Sequence, residues 1–148
     1  MPAISPNTFR RLERAARAAA QGSYSPYSNF KVGAAILADS GRIYAGANIE
    51  NASYGLCNCA ERTAIFTAAA SGERRIRVVA VYTPTSTPTM PCGACRQVIN
   101  EFGPQALIIS VCDSAERKEI TLPQLLPDAF GPADLVRDAP PVQRGKRR

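Results

Sequence analysis

Apolar and polar positions follow two rhythms along the chain, and the changes of rhythm mark the elements. Phe9, Leu12 and Ala16 recur at helical spacing inside an alanine-rich stretch. They predict a first helix, capped by Asn7 or Thr8 and running to about Gln21, where Gly22 stops it. Tyr24 to Asn29 is a Pro- and Ser-containing loop. Phe30 to Asp39 is dominated by apolar residues and reads as a buried strand; Ser40-Gly41 is a turn, and Arg42 to Ala47 returns as the hairpin partner. Asn48 to Asn58 is polar and contains glycine, so it reads as a loop. A second helix begins near Cys59 and ends at Ala70, before Gly72. Ile76 to Thr83 is a Val-rich strand. After a loop of Thr, Pro and Ser, a third helix runs from near Cys92 to Phe102 and is closed by Gly103. Leu107 to Cys112 is a fourth buried strand and Glu119 to Thr121 a short fifth. Leu122 to Leu126 fits one helical turn, and a short helix follows Pro132.

The order α-β-β-α-β-α-β-β predicts an α/β fold, a sheet covered by helices. Only Asp113 to Lys118 separates the last two strands. A parallel crossover needs a dozen or more residues, so these strands pair antiparallel if they are neighbours. Neither a repeat nor an internal linker interrupts the pattern. Residues 1–136 are expected to form one domain and 137–148 a basic, mobile tail.

Composition narrows the function classes. No apolar run approaches the ~20 residues that span a bilayer, and Met1 to Arg11 lacks the apolar stretch of a secretory signal. The expectation is a soluble cytoplasmic protein with no membrane partner. The net charge of +6 raises the thought of nucleic acid. Arg10, Arg11, Arg14 and Arg17, with Glu13, place +3 on the first helix, and Arg144, Lys146, Arg147 and Arg148 place +4 on the tail. The remaining residues sum to −1, which favours a solubilising tail, and no nucleic acid is expected.

The chain has five cysteines and no histidine. An odd number of cysteines without an export signal argues against a disulfide framework. Without histidine, no Ser-His or Cys-His nucleophile pair exists, and a zinc site must use thiolates or carboxylates. Cys92 and Cys95 form C-x-x-C at a helix start, where the free N–H groups favour thiolates. That motif alone also suits a redox pair or half of a structural zinc knuckle. Cys59, at the other helix start, offers a third thiolate, and Glu61 lies two residues beyond it. Three ligands beside an unattached carboxylate make a catalytic arrangement. Cys57 stands near enough to supply a fourth ligand, although Cys59 has the better spacing to Glu61. Cys112, in a strand, reads as a small core residue.

Cys59-Ala60-Glu61 followed by Pro91-Cys92-Gly93-Ala94-Cys95 matches the signature of zinc deaminases of cytosine or adenine. The surrounding stretches extend the likeness. Pro26 to Ala35, Asn48 to Leu56, Cys59 to Ala64, Pro91 to Val98 and Leu125 to Phe130 together resemble the short, homotetrameric cytidine deaminases, in order, over nearly the whole chain. The resemblance implies a three-layer α-β-α fold with a mixed five-stranded sheet, and one zinc per subunit on Cys59, Cys92 and Cys95. It implies that Phe30 packs on the pyrimidine, that Asn48 and Glu50 bind ribose hydroxyls, and that the Ala60 N–H holds the pyrimidine carbonyl. Tyr54 and Phe130 would come from neighbouring subunits. Glu61 would take a proton from water, protonate N3 and pass a proton to the departing amine. Arg62 would offset the net negative charge of a three-thiolate site.

Three rivals remain at this point. A nucleic-acid deaminase usually carries His as first ligand and a helix between its fourth and fifth strands, and this chain has neither. A deaminase of a cytosine-bearing antibiotic fits poorly with Asn48 to Leu56. A non-catalytic zinc or RNA-binding module fits poorly with an intact Glu61.

Overall fold

A computed structural model describes residues 4–135; the tail expected over 137–148 lies outside the described residues. Helix α1 (Pro6–Ala20) is followed by strands β1 (Gly33–Ala38) and β2 (Ile43–Ala47). Then come helix α2 (Ala60–Ala70), strand β3 (Ile76–Tyr82), helix α3 (Gly93–Phe102), strands β4 (Leu107–Val111) and β5 (Arg117–Thr121), and the single turn α4 (Leu122–Leu125). The five strands form one sheet in the order β2-β1-β3-β4-β5. Only β3 and β4 pair in parallel. The stretch joining them holds α3, long enough for a crossover, whereas β4 returns antiparallel into β5 across a short turn, as the spacing predicts.

Side-chain alternation on β1 explains why all six of its residues are buried. Ala34, Ile36 and Ala38 join a core with Ala64, Ile65 and Ala68 of α2 and Ile99 of α3. Ala35 and Leu37 join a second core with Leu12 and Ala16 of α1. The sheet is thus the middle of three layers. Two glycines set the spacing of those layers. A Cβ on Gly33 would lie 1.9 Å from the Ala16 carbonyl oxygen, so α1 sits directly on β1. A Cβ on Gly46 would lie 2.5 Å from the Ala64 nitrogen, which brings α2 equally close to β2.

The boundaries differ from the expected ones in four places. Ser5, not Asn7 or Thr8, caps α1: its hydroxyl accepts from the Thr8 N–H, and Pro6 occupies the first helical position, where its missing N–H costs nothing. Strand β1 starts at Gly33, because Phe30 to Val32 belongs to a loop in which Asn29 has φ of 55°. The stretch Asn48 to Asn58 contains a 3-10 turn at Tyr54–Leu56 and bridges from Ile49 to Tyr24 and Asn58. Strand β5 begins at Arg117, two residues earlier than expected. Its first three residues are exposed and polar, so they carry no apolar signal. Among the described residues no helix is long and apolar enough to cross a membrane.

Candidate active site

Two helix N-termini converge beside the end of β3. Cys59 is the N-cap of α2, and Cys92 is the N-cap of α3. Cys95, buried in the first turn of α3, completes a cluster. The Cys59 and Cys92 sulfurs are 3.9 Å apart, and all three sulfurs lie within 4.8 Å of one another. Each helix leaves its first N–H groups without intrahelical acceptors, so both caps offer positive potential to thiolates. A hydrogen bond with Cys95 and, more weakly, the Arg62 guanidinium draw the Cys59 thiol down to about 5 against the opposing effect of burial. The same bond, with burial, pushes the Cys95 thiol up. Three soft donors on two rigid helix starts, with no fourth Cys, Asp or Glu in the cluster among the described residues, fit a zinc ion with an open position.

Glu61 lies in the first turn of α2 and is only 5% exposed, yet it is not part of the cluster. Burial raises its carboxyl above the ordinary range, and the charge of Cys59 adds to this. Arg62 turns the other way. Its Nη2 donates to the Cys59 sulfur at 3.6 Å and to the Cys57 carbonyl at 3.3 Å. Its Nε is buried without a partner among the described residues. Cys57 itself is outside the cluster. It accepts from the Asn51 N–H at 3.3 Å and donates to the Asn51 carbonyl at 3.6 Å. Arg62→Ala should weaken zinc retention about tenfold in a chelator-competition assay, since residues that hold metal ligands are commonly worth that much. Full retention with unchanged turnover would remove this role.

Above the cluster is a cavity of about 220 Å³. Phe30, Ala60, Glu61, Asn48 and Glu50 line it, together with the apolar Val32, Val81 and Met90. Ala60 is the first residue of α2, so its N–H is one that the helix leaves free. Asn48 and Glu50 are held by the loop that carries Phe30. Asn48 Oδ1 accepts from the Val32 N–H at 2.9 Å and from the Ser23 hydroxyl at 2.6 Å, and its Nδ2 donates to the Phe30 carbonyl at 2.7 Å. Glu50 Oε2 accepts from the Tyr27 and Ser28 N–H groups at 2.9 and 3.2 Å, and Oε1 accepts from the Ser28 hydroxyl. The Ser28 hydroxyl, followed by these N–H groups, holds the Glu50 carboxyl below its usual value.

Tyr54 and Phe130 do not line this cavity within one chain; they are 72% and 58% exposed. Tyr54 lies 5.7 Å from the Tyr27 ring. The Phe130 carbonyl accepts from Gln97 and Asn100 of α3, which anchors the segment and leaves the ring outside. The sequence reading gave no role to Ser28, Thr83, Thr89 or Met90, all of which face the cavity. Ser28 lies within the stretch Pro26 to Ala35. The other three sit in or beside the Thr-Pro-Ser loop, whose lack of periodicity hides which side chains turn inward.

The family model described as the cytidine and deoxycytidylate deaminase zinc-binding region matches residues 6–111. The chain belongs to the cytidine and deoxycytidylate deaminase family. Within this family it is similar to the cytidine deaminase of Halalkalibacterium halodurans, at 49% identity over 118 residues, 79% of this chain and 89% of that one. It is 45% identical over 120 residues to the cytidine deaminase of Mycobacterium tuberculosis, covering 81% of this chain and 87% of that protein. The crystal structure of cytidine deaminase from Burkholderia pseudomallei superposes with a TM-score of 0.80 at 46% identity, over 86% of this chain and all of that one. The mixed sheet with its flanking helices is the architecture of these deaminases. The chain is a zinc-dependent hydrolase, and its three-cysteine cluster suits the zinc-binding region of the family.

Proposed function

We propose that this chain hydrolyses free cytidine and 2′-deoxycytidine to uridine and 2′-deoxyuridine, releasing ammonia, as a step of pyrimidine salvage in the cytoplasm. One observation carries the reading. A buried carboxyl outside the three-thiol cluster, Glu61, lines the same small cavity as Cys59, Cys92 and Phe30. Zinc on the three cysteines supplies the Lewis acidity that makes a water nucleophilic near neutral pH. The rest falls to the chain. Phe30 packs on the pyrimidine face, and the Ala60 N–H donates to O2. Glu61 accepts one proton of the attacking water and delivers it to N3. It then takes the second from the hydroxyl now on C4 and gives it to the amine as the C4–N bond breaks and ammonia leaves. One carboxyl serves both steps because it is free of the metal.

Hydrogen-bond capacity supports the sugar end of the reading. Asn48 Oδ1 has both lone-pair directions in use, while one Nδ2 hydrogen remains beyond its bond to Phe30. Glu50 has three acceptor directions in use and one remaining on Oε1. One donor and one acceptor suit a single hydroxyl, so a nucleoside that keeps only one ring hydroxyl still satisfies both. The five unpaired thiols suit a reducing compartment.

The exposed rings of Tyr54 and Phe130 support a homotetramer in which neighbours complete each site; a monomer by sedimentation with full turnover would overturn that sharing. The test of the main reading is loss of the cytidine ultraviolet band with matching ammonia release by the zinc-loaded protein. No turnover of either nucleoside would sink it.

A further inference from the structure

Ser28 is bonded to two of the cavity's recognition residues, Phe30 and Glu50. Its hydroxyl accepts from the Phe30 N–H at 3.1 Å and donates to Glu50 Oε1. Its own N–H donates to Glu50 Oε2. Between Ser28 and Phe30 the backbone passes through Asn29, which has φ of 55° and whose N–H donates to the Ser25 carbonyl at 2.9 Å. The turn therefore takes a left-handed conformation that a side chain ordinarily resists. Nothing from the sheet reaches the Ser28 hydroxyl among the described hydrogen bonds. The stacking ring and the sugar-facing carboxylate thus share one small side chain.

We propose that Ser28 is a positioning residue that sets sugar discrimination. It fixes the Glu50 carboxylate so that its last acceptor direction faces the cavity, while the Phe30 backbone keeps the Asn48 bond to its carbonyl and does not depend on Ser28 alone. The inference rests on the cytidine reading above. Its physical basis is the strength of a hydroxyl-to-carboxylate hydrogen bond, about twice that of a neutral one. Without it, Glu50 keeps the two backbone donors on Oε2, but Oε1 is free to turn. The residue is exposed, so replacing it opens no core cavity.

The experiment compares cytidine with 2′,3′-dideoxycytidine, which lacks both ring hydroxyls, on wild type and Ser28→Ala. In the variant, KM for cytidine should rise about tenfold with kcat little changed, the pattern of lost binding common to ground and transition states. KM for the dideoxynucleoside should hardly move, so the preference for cytidine shrinks about tenfold. Equal losses on both substrates would reduce Ser28 to a general structural role and overturn the proposal, as would no change on either. Failure of the cytidine reading is seen separately, as absent turnover by wild type.

Discussion

Glu61→Gln will keep its zinc and lose at least about 10³-fold in kcat for cytidine, within the range that a positioned proton-transfer group contributes. Glutamine has nearly the shape of glutamate, so it fills the same space at the start of α2. The metal should be unaffected, because Glu61 is not among the clustered ligands. What is lost is proton transfer. An amide can neither accept the proton of the attacking water nor return one to N3 and the amine. The buried position sharpens the effect, since at 5% exposure there is little room for bulk water to substitute. Zinc analysis beside turnover at the cytidine band checks both halves. Turnover within tenfold of wild type would show that another group moves the protons.

Much of this arrangement can be read from residue order, and the parts that cannot have physical reasons. The glycines that follow them, Gly72 and Gly103, mark where α2 and α3 end, and cysteine spacing then places three sulfurs at two helix starts. Periodicity fails at β5, where Arg117, Lys118 and Glu119 face solvent. It also fails at Phe30, an aromatic residue beside a buried strand that looks like its first member. The structure puts it in a loop, and the cause is remote in sequence: Asn48 bonds the Phe30 carbonyl and the Val32 N–H across the hairpin. The roles given to Tyr54 and Phe130 come from resemblance alone, since a single chain's pattern shows only exposed aromatic rings. The charge problem of a site without histidine is legible from composition. The aim of Arg62 at the Cys59 sulfur is not, because composition does not say which neighbour a long helix side chain leans back on.

Two neighbouring cysteines will behave in opposite ways. Cys59→Ala should purify with almost no zinc and no measurable turnover, whereas Cys57→Ser should keep a full complement of zinc and near-normal activity. Cys59 stands 3.9 Å from Cys92 at the head of α2, and its removal leaves only Cys92 and Cys95 on one side of the metal. Two ligands do not define a tetrahedral zinc site, and without Cys59 the Arg62 guanidinium loses its thiolate partner. Cys57 is two residues away, but its sulfur is tied to the Asn51 backbone and lies outside the cluster. There it accepts from the Asn51 N–H and donates to the Asn51 carbonyl, closing the loop below Tyr54. A serine hydroxyl donates and accepts in the same way, so this substitution preserves the loop while removing the only sulfur that competes with Cys59. Zinc content per chain decides between them. Loss of zinc in Cys57→Ser with retention in Cys59→Ala would exchange their roles, and would also mean that Glu61 lies four residues from its nearest ligand instead of two.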